Sequence, residues 1–462
     1  MHASGSHTRP PSWLTSLVEI GAAVRRAAIG ALAATALRVG RRAEPYFLAT
    51  LFLSGLGLAT FACWSRSDLD LFRWPMAELA LHGRALFVYT LHAGIWRSDN
   101  GPLSLLPLTA VAAVVNAVGW QADPPLRDAI VMGVFGFFSL AFALEAVRAV
   151  ESVRGHPLPH SIAIWSAFLL GPPLWFGMVN YGHTELPLEL WLILLAVRQL
   201  DRGRTALAGC LLGLALLTQT AVLLAALPLV LILFSDRRFR AAIVLLGTAA
   251  MAAAAGLLLF LLADGRDVIA SLVTYRGQAP TLGGSLLTLF PRGPLAVFIQ
   301  HYDALVFGAS AVVLTWVVVR RGRATVPGSP RVYGLMALST ACLPLLAKSV
   351  WPYYLVDPCA FATIWWLARP GSVENLRLGV PVLFAGAAAA LLVGAPGICV
   401  ALTIACGMVL LLADLVGLKF PAITAEPGRP DCQRATQRRA RGPTDASIRP
   451  VAEGTEFPTL VL

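Results

Sequence analysis

The sequence predicts an all-α, polytopic transmembrane helical bundle of about 11–13 membrane segments, with a functional first extracytoplasmic loop. Three observations carry that expectation. First, 57% of the 462 residues are hydrophobic and only 13% are charged, against about 25% charged in an average soluble domain. A mean hydropathy of +0.72 leaves too little polar surface to wet a water-soluble protein of this length. Second, the apolar residues fall in runs of membrane-spanning length, broken by short polar turns. Third, the formal charge of +11, from 36 Lys and Arg against 25 Asp and Glu, is concentrated in a few of those turns and in the termini, as the positive-inside rule requires. These features exclude a cytosolic enzyme, a nucleic-acid-binding surface and a disordered scaffold.

Residues 1–45 are polar at the tip and then Ala-rich with Arg25, Arg26, Arg38, Arg41 and Arg42. Arginines inside an Ala/Leu helix predict a cytoplasmic N-terminus with an amphipathic interfacial helix. The multi-pass domain is expected over 46–418, starting with the uncharged run Tyr46–Trp64. No secretory signal peptide is expected before it. Ser65–Asn100 reads as a charged, aromatic loop. The following runs are Gly101–Val118, Ala129–Val147, Ser161–Val179, Pro187–Val197, Thr205–Phe234, Ala241–Leu262, Leu295–Val319, Val332–Leu346, Leu355–Leu367, Leu378–Val393 and Ile398–Leu418. Thr205–Phe234 is too long for one span, and Thr218, Gln219 and Thr220 at its centre predict two helices meeting at a polar turn. Gly101–Val118, with Pro107 inside it, reads as re-entrant or interfacial. Residues 419–462, rich in Arg and Pro, are expected to be a disordered basic cytoplasmic tail. The seven cysteines form no CxxC or Cys/His metal spacing, so no metal site is expected from them.

Placing the arginine-rich segments 148–154, 198–204, 237–240, 320–331 and 369–377 in the cytoplasm leaves four polar clusters on the extracytoplasmic face. The first loop holds Asp68, Asp70, Arg73, Tyr89 and Asp99. An acid at the membrane surface is partly desolvated, which raises its pKa and suits it to take a proton. That singles out Asp68 or Asp70 as a general base. The second cluster contains His183 and Glu185, where Glu185 and Pro187 also make a good helix start. The third contains Arg276, whose guanidinium matches phosphate oxygens. The fourth contains Lys348 and Tyr353, and Arg127 adds one more outer cation. Acids with scattered cations suit a hydroxyl acceptor and a phosphate-bearing donor.

The order of motifs resembles the GT-C superfamily of integral-membrane glycosyltransferases, nearest to glycosyltransferase family 87, the polyprenol-phosphate-mannose-dependent type. Asp68-Leu-Asp-Leu-Phe-Arg, followed by Ala80-Leu-His-Gly83 and Tyr89, resembles that family's first loop. Asp99-Asn-Gly-Pro-Leu-Ser-Leu-Leu-Pro107 resembles its Tyr-Pro-Pro-Leu segment. Gly171-Pro-Pro, Tyr181-Gly-His-Thr-Glu185 and Ala208-Gly-Cys-Leu-Leu-Gly-Leu-Ala215 resemble its later motifs. Gln219 stands where the family often has Lys. The resemblance implies transfer of a sugar, mannose favoured, from a polyprenyl-phosphate donor to a lipid or glycan acceptor, with inversion. Asp68 aligns best with the family's base and Asp70 second. No cofactor is implied, although a carboxylate pair such as Asp68 and Asp70 has the oxygen donors that Mg²⁺ or Mn²⁺ take. The expected partners are the donor, a glycolipid or glycan acceptor and the lipid bilayer, with no nucleic acid. The expected localisation is the cell membrane. A transporter or flippase of a lipid-linked envelope intermediate is the alternative, with Asp303 and Asp414 as its intrahelical acids.

Overall fold

The computed structural model describes residues 68–93, 96–119, 124–155, 182–183, 185–275, 281–283, 285–286, 293–321, 328–369 and 374–418. The N-terminal helix, the Tyr46–Trp64 and Ser161–Val179 runs, Arg276 and the C-terminal tail expected from the sequence lie outside the described residues.

The described chain is all-α, with twelve α-helices and only two-residue strands. The helices are α1 (Trp74–Leu79), α2 (Leu105–Ala117), α3 (Pro124–Arg154), α4 (Glu185–Asp201), α5 (Thr205–Leu216), α6 (Val222–Ser235), α7 (Phe239–Ile269), α8 (Pro294–Arg321), α9 (Pro330–Leu346), α10 (Val356–Ala368), α11 (Glu374–Leu392) and α12 (Gly397–Leu415). Four stretches are long and apolar enough to cross a membrane: Gly133–Arg154, Phe239–Thr274, Ala296–Arg321 and Gly397–Leu415. Their Ala- and Leu-rich composition favours helix over any other backbone state. Helix α9 is different: it is buried on every side from Val332 to Pro344, as a helix apolar all round must be. It packs against α6, α8, α10 and α12 and forms the centre of the core.

The Thr205–Phe234 run divides at residues 217–221 into α5 and α6. The polar turn has a partner. Gly101 N–H donates to Thr218 O at 2.9 Å and Leu103 N–H to Leu217 O at 2.9 Å. A Cβ on Gly101 would stand 2.2 Å from Leu217 O, so only glycine permits this approach. The 13 residues of α2 rise about 20 Å, less than the roughly 30 Å of a hydrocarbon core.

The Ala208–Ala215 motif is a helix-packing device. Gly209 and Gly213 lie against α7, where an added Cβ would meet Leu245 O at 2.5 Å and Ala249 O at 2.4 Å. Small residues four apart let the two backbones approach.

The first loop is not an open loop. Residues 69–90 fold into successive short helical turns around α1. Leu69, Phe72 and Met76 recur at helical spacing and are buried. Phe72 and Met76 join Val88, Tyr89, Leu105 and Val268 in a small core of their own. Charged residues between them hid that spacing in the sequence.

Three helices orient the molecule. Helix α4 carries Glu185 in its first turn and Arg198 in its last, α9 carries Arg331 near its start, and α10 carries Asp357 in its first turn with Arg369 just beyond its end. The arginine ends of α4 and α10 are tied by ion pairs, and Arg331 of α9 donates to Val318 O at 2.9 Å. Arg198 meets Glu145 of α3 at 2.9 Å, and Arg377 meets Asp414 of α12 at 3.1 Å, with Arg369 on the same carboxylate. Asp414 is thus held by two arginines in the structure. The opposite ends of these helices carry the candidate site.

Candidate active site

The cleft assembles from six separate stretches of the chain. Its walls include Asp68, Leu71, Phe72 and Arg73 from the first turn, and Arg97 to Asn100 from the approach to α2. His183, Tyr275, Asp303, Lys348, Ser349, Trp351, Tyr353 and Tyr354 complete it around a cavity of about 250 Å³.

The deepest part is a four-charge network. Arg73 grips Glu185 with both guanidinium arms, Nη2 reaching Oε1 at 2.7 Å and Nη1 bonding Oε2. Arg73 Nη1 also donates to Gly182 O at 2.9 Å. His183 lies between two carboxylates, with Nδ1 2.5 Å from Glu185 Oε1 and Nε2 3.1 Å from Asp68 Oδ2. An imidazolium donates to both at once. Gly182 makes this geometry: its φ is +68°, and a Cβ would meet Leu69 Cβ at 2.8 Å. Tyr353 covers the imidazole, ring centroids 3.9 Å apart.

Electrostatics follow from these contacts. Burial pushes the Glu185 carboxyl up, but Arg73 and His183 outweigh it and bring it down to about 2. Burial and the Arg73 charge push the His183 imidazole down, yet Glu185 and Asp68 hold it above its ordinary value. Asp68 reverses the expectation from the sequence. Burial does push its carboxyl up, but the hydrogen bond and charge of His183, with the charge of Arg73, hold it below the usual value. Asp68 is therefore an anion at neutral pH, and its lowered value makes it a weaker proton acceptor than the raised value expected from the sequence.

The other predicted residues separate into two groups. Arg73, Asp99, His183, Lys348 and Tyr353 line the same cleft as Asp68, and Glu185 backs it. Lys348 is buried, and its backbone N–H donates to Asp303 Oδ2 at 3.1 Å. Pairing of Leu282–Gly283 with Ser349–Val350 in parallel holds that segment in place. Asp70, Arg127 and Tyr89 do not line the cleft. Asp70 is 40% exposed and pairs with Arg127 at 2.8 Å, and Arg127 lies over the Trp74 ring at 5.0 Å. Tyr89 is buried and donates to Asn100 O at 3.0 Å, bracing the cleft wall from behind.

Asp68 and Asp70 therefore turn to different partners, His183 and Arg127. Among the described residues no group of three His, Cys, Asp or Glu side chains is arranged to hold a metal ion.

No known family matches the chain, and no curated protein aligns with it significantly.

Sequence reasoning did not select Arg97, Asn100, Tyr275, Trp351 or Tyr354 as site residues. Arg97 pairs with Asp267 of α7 at 3.1 Å, which turns it into the cleft wall. Asn100 is buried with its Oδ1 unpartnered. No sequence signal marks that oxygen, because its isolation depends on the docking of residues 100–103 onto the 217–221 turn.

Proposed function

We propose that this chain is a multi-pass membrane glycosyltransferase that moves a sugar, mannose favoured, from a polyprenyl-phosphate donor to a lipid or glycan hydroxyl on the extracytoplasmic face. The observation that carries the reading is the convergence in one cleft of an ionised carboxylate, Asp68, with the cations Arg97 and Lys348 and the rings of Tyr275, Trp351, Tyr353 and Tyr354. Aromatic faces and a buried amide oxygen, Asn100 Oδ1, suit a sugar ring with its hydroxyls. Cations suit the phosphate.

In the proposed reaction the Asp68 carboxylate takes the proton from the acceptor hydroxyl. The oxygen forms a bond to the anomeric carbon as the bond from that carbon to the phosphate oxygen breaks. The lipid phosphate departs with the bonding electrons, and Arg97 and Lys348 stabilise its charge. Attack opposite the leaving group inverts the configuration. General-base assistance of this kind is worth about 10²–10⁴-fold. His183 and Arg73 fix the Asp68 carboxylate without touching the sugar. The bilayer supplies the donor, with the arginine-rich helix ends on the cytoplasmic side.

The test is incubation of the purified protein in lipid with radiolabelled polyprenyl-phosphate mannose and membrane glycolipids. The expected result is a new labelled glycolipid with wild-type protein and none with Asp68→Asn. Wild-type turnover by Asp68→Asn would remove the proposed base. Vectorial movement of intact donor with no new glycoside would instead support a flippase.

A further inference from the structure

Helix α5 holds the Gly101 turn of the cleft wall at its C-terminal end. At its N-terminal end two turns are built alike. Helix α4 closes with Gly203 N–H donating to Leu200 O at 3.0 Å and Arg204 N–H to Gln199 O at 2.9 Å. Helix α6 closes with Arg237 N–H donating to Phe234 O at 3.1 Å and Arg238 N–H to Leu233 O at 2.9 Å. In such a closure the residue after the helix takes the left-handed backbone, and glycine usually fills it. The first turn has Gly203 there, at φ +75°, but the second has Arg237, at φ +59°. An arginine is kept where the backbone favours glycine.

The turns lead into α5 and α7, which run parallel. Gly209 meets α7 at Leu245, Gly213 meets it at Ala249, and Gly256 of α7 lies against Leu217. The two N-termini therefore sit side by side. Thr205 shares an open hollow of about 550 Å³ with Arg237, Arg238, Phe239 and Arg240. Arg202 and Arg204 precede Thr205 in the chain, and all five arginines are exposed. Among the described residues none of them forms an ion pair with an acid. Of the two acids in these turns, Asp201 is turned to Gly328, where a Cβ would meet its Cγ at 2.8 Å, and the other is Asp236. The N-terminal amides of both helices add positive potential to that of the arginines. An anion across the hollow relieves both.

The surroundings say which anion. Leu207 of α5 is exposed beside the hollow, as are Phe239, Ile243 and Leu246 at i, i+4 and i+7 of α7. They begin the Phe239–Thr274 stretch, the least covered of the four able to cross a membrane. A soluble phosphate would leave that apolar stripe bare. A second copy meeting this face across a two-fold axis would set five arginines against five. An anionic phospholipid answers both features, with phosphate oxygens for the guanidinium groups and an acyl chain for the stripe. Both turns are expected on the cytoplasmic side, where the leaflet carries a negative surface potential. We propose that the hollow between the α4–α5 and α6–α7 turns binds the headgroup of an anionic phospholipid, with an acyl chain along the exposed face of α7. The site is independent of the transferase reading.

Native mass spectrometry of the full chain released from detergent, titrated with phosphatidylglycerol or phosphatidylcholine, tests the inference. The wild type should bind phosphatidylglycerol more tightly. The triple variant Arg237→Gln, Arg238→Gln, Arg240→Gln should bind it about 100-fold more weakly, at about fivefold per arginine beside an anionic headgroup. Arg320→Gln with Arg321→Gln, outside the hollow, should leave binding unchanged. Arg237→Gly separates binding from folding: it should raise the melting temperature of the lipid-free protein by relieving the positive φ, and still weaken phosphatidylglycerol binding. Equal affinity for the two lipids, an unchanged preference in the triple variant, or an equal loss in the Arg320 and Arg321 variant overturns the proposal. So does glycerol phosphate binding as tightly as the lipid, or a lipid-independent dimer that the triple variant abolishes.

Discussion

Replacing Arg73 by Met tests the network most directly. Arg73 is 4% and Glu185 0% exposed, so water cannot replace the lost guanidinium. The carboxyl of Glu185 sits at about 2 rather than 4.5. At about 1.36 kcal/mol per pKa unit, the attraction of Arg73 and His183, net of the cost of burial, favours the ionised form by about 3 kcal/mol. Removing one member of a buried ion pair costs about 3–5 kcal/mol. The pH sign is fixed by the depressed value. The stabilisation is complete above about 4.5 and disappears only as pH falls towards 2, so an assay at pH 7 sees all of it. Denaturant or thermal unfolding in detergent should place Arg73→Met about 3–5 kcal/mol below the wild type. The double variant Arg73→Met with Glu185→Leu should recover much of the loss, because no buried charge is left alone. A single variant within about 1 kcal/mol of the wild type, or a double variant no better than the single, would refute the reasoning.

Other expectations concern neighbouring features. His183 is held above its ordinary value of about 6.5. Its contribution is therefore complete below that pH and is lost as pH rises through its value in the folded state; His183→Gln should flatten the alkaline fall in melting temperature. Asp70→Asn should change stability by less than about 1 kcal/mol and leave glycolipid synthesis near the wild-type rate, because its carboxylate meets Arg127 at a partly exposed surface outside the cleft. Gly213→Ala should cost about 1–3 kcal/mol, since its Cβ would meet Ala249 O at 2.4 Å, whereas Gly247→Ala, with nothing within 4 Å, should be neutral or stabilising. Lys348→Met should weaken donor binding in a titration with polyprenyl phosphate more than it alters the melting temperature.

Much of the fold was legible because hydropathy is a local property. An uncharged run such as Ala241–Leu262 forms a helix wherever it sits, and the polar Thr218-Gln219-Thr220 step marks the break between α5 and α6 without reference to anything else. The Ser65–Asn100 segment reads as a charged, aromatic loop, whereas residues 69–90 form helical turns, because their buried positions are interrupted by Asp70, Arg73 and Glu78. Those charges are tolerated only because Arg73 finds Glu185 and Arg127 meets Asp70.

By itself the sequence determined the helical class, the helices able to span a bilayer, and the residue types available for acid–base and phosphate chemistry. Tertiary structure alone decided which of them meet. Arg73 and Glu185 are 112 positions apart, and Lys348 reaches the same cleft from the far end of α9. It also separated Asp68 from Asp70, two residues apart in the chain. A helical turn sends neighbouring side chains in different directions, so one carboxylate reaches buried His183 and the other faces Arg127 at the surface. The physical reason is that ionisation and pairing depend on what surrounds a group in space, and only the packing of distant helices creates those surroundings.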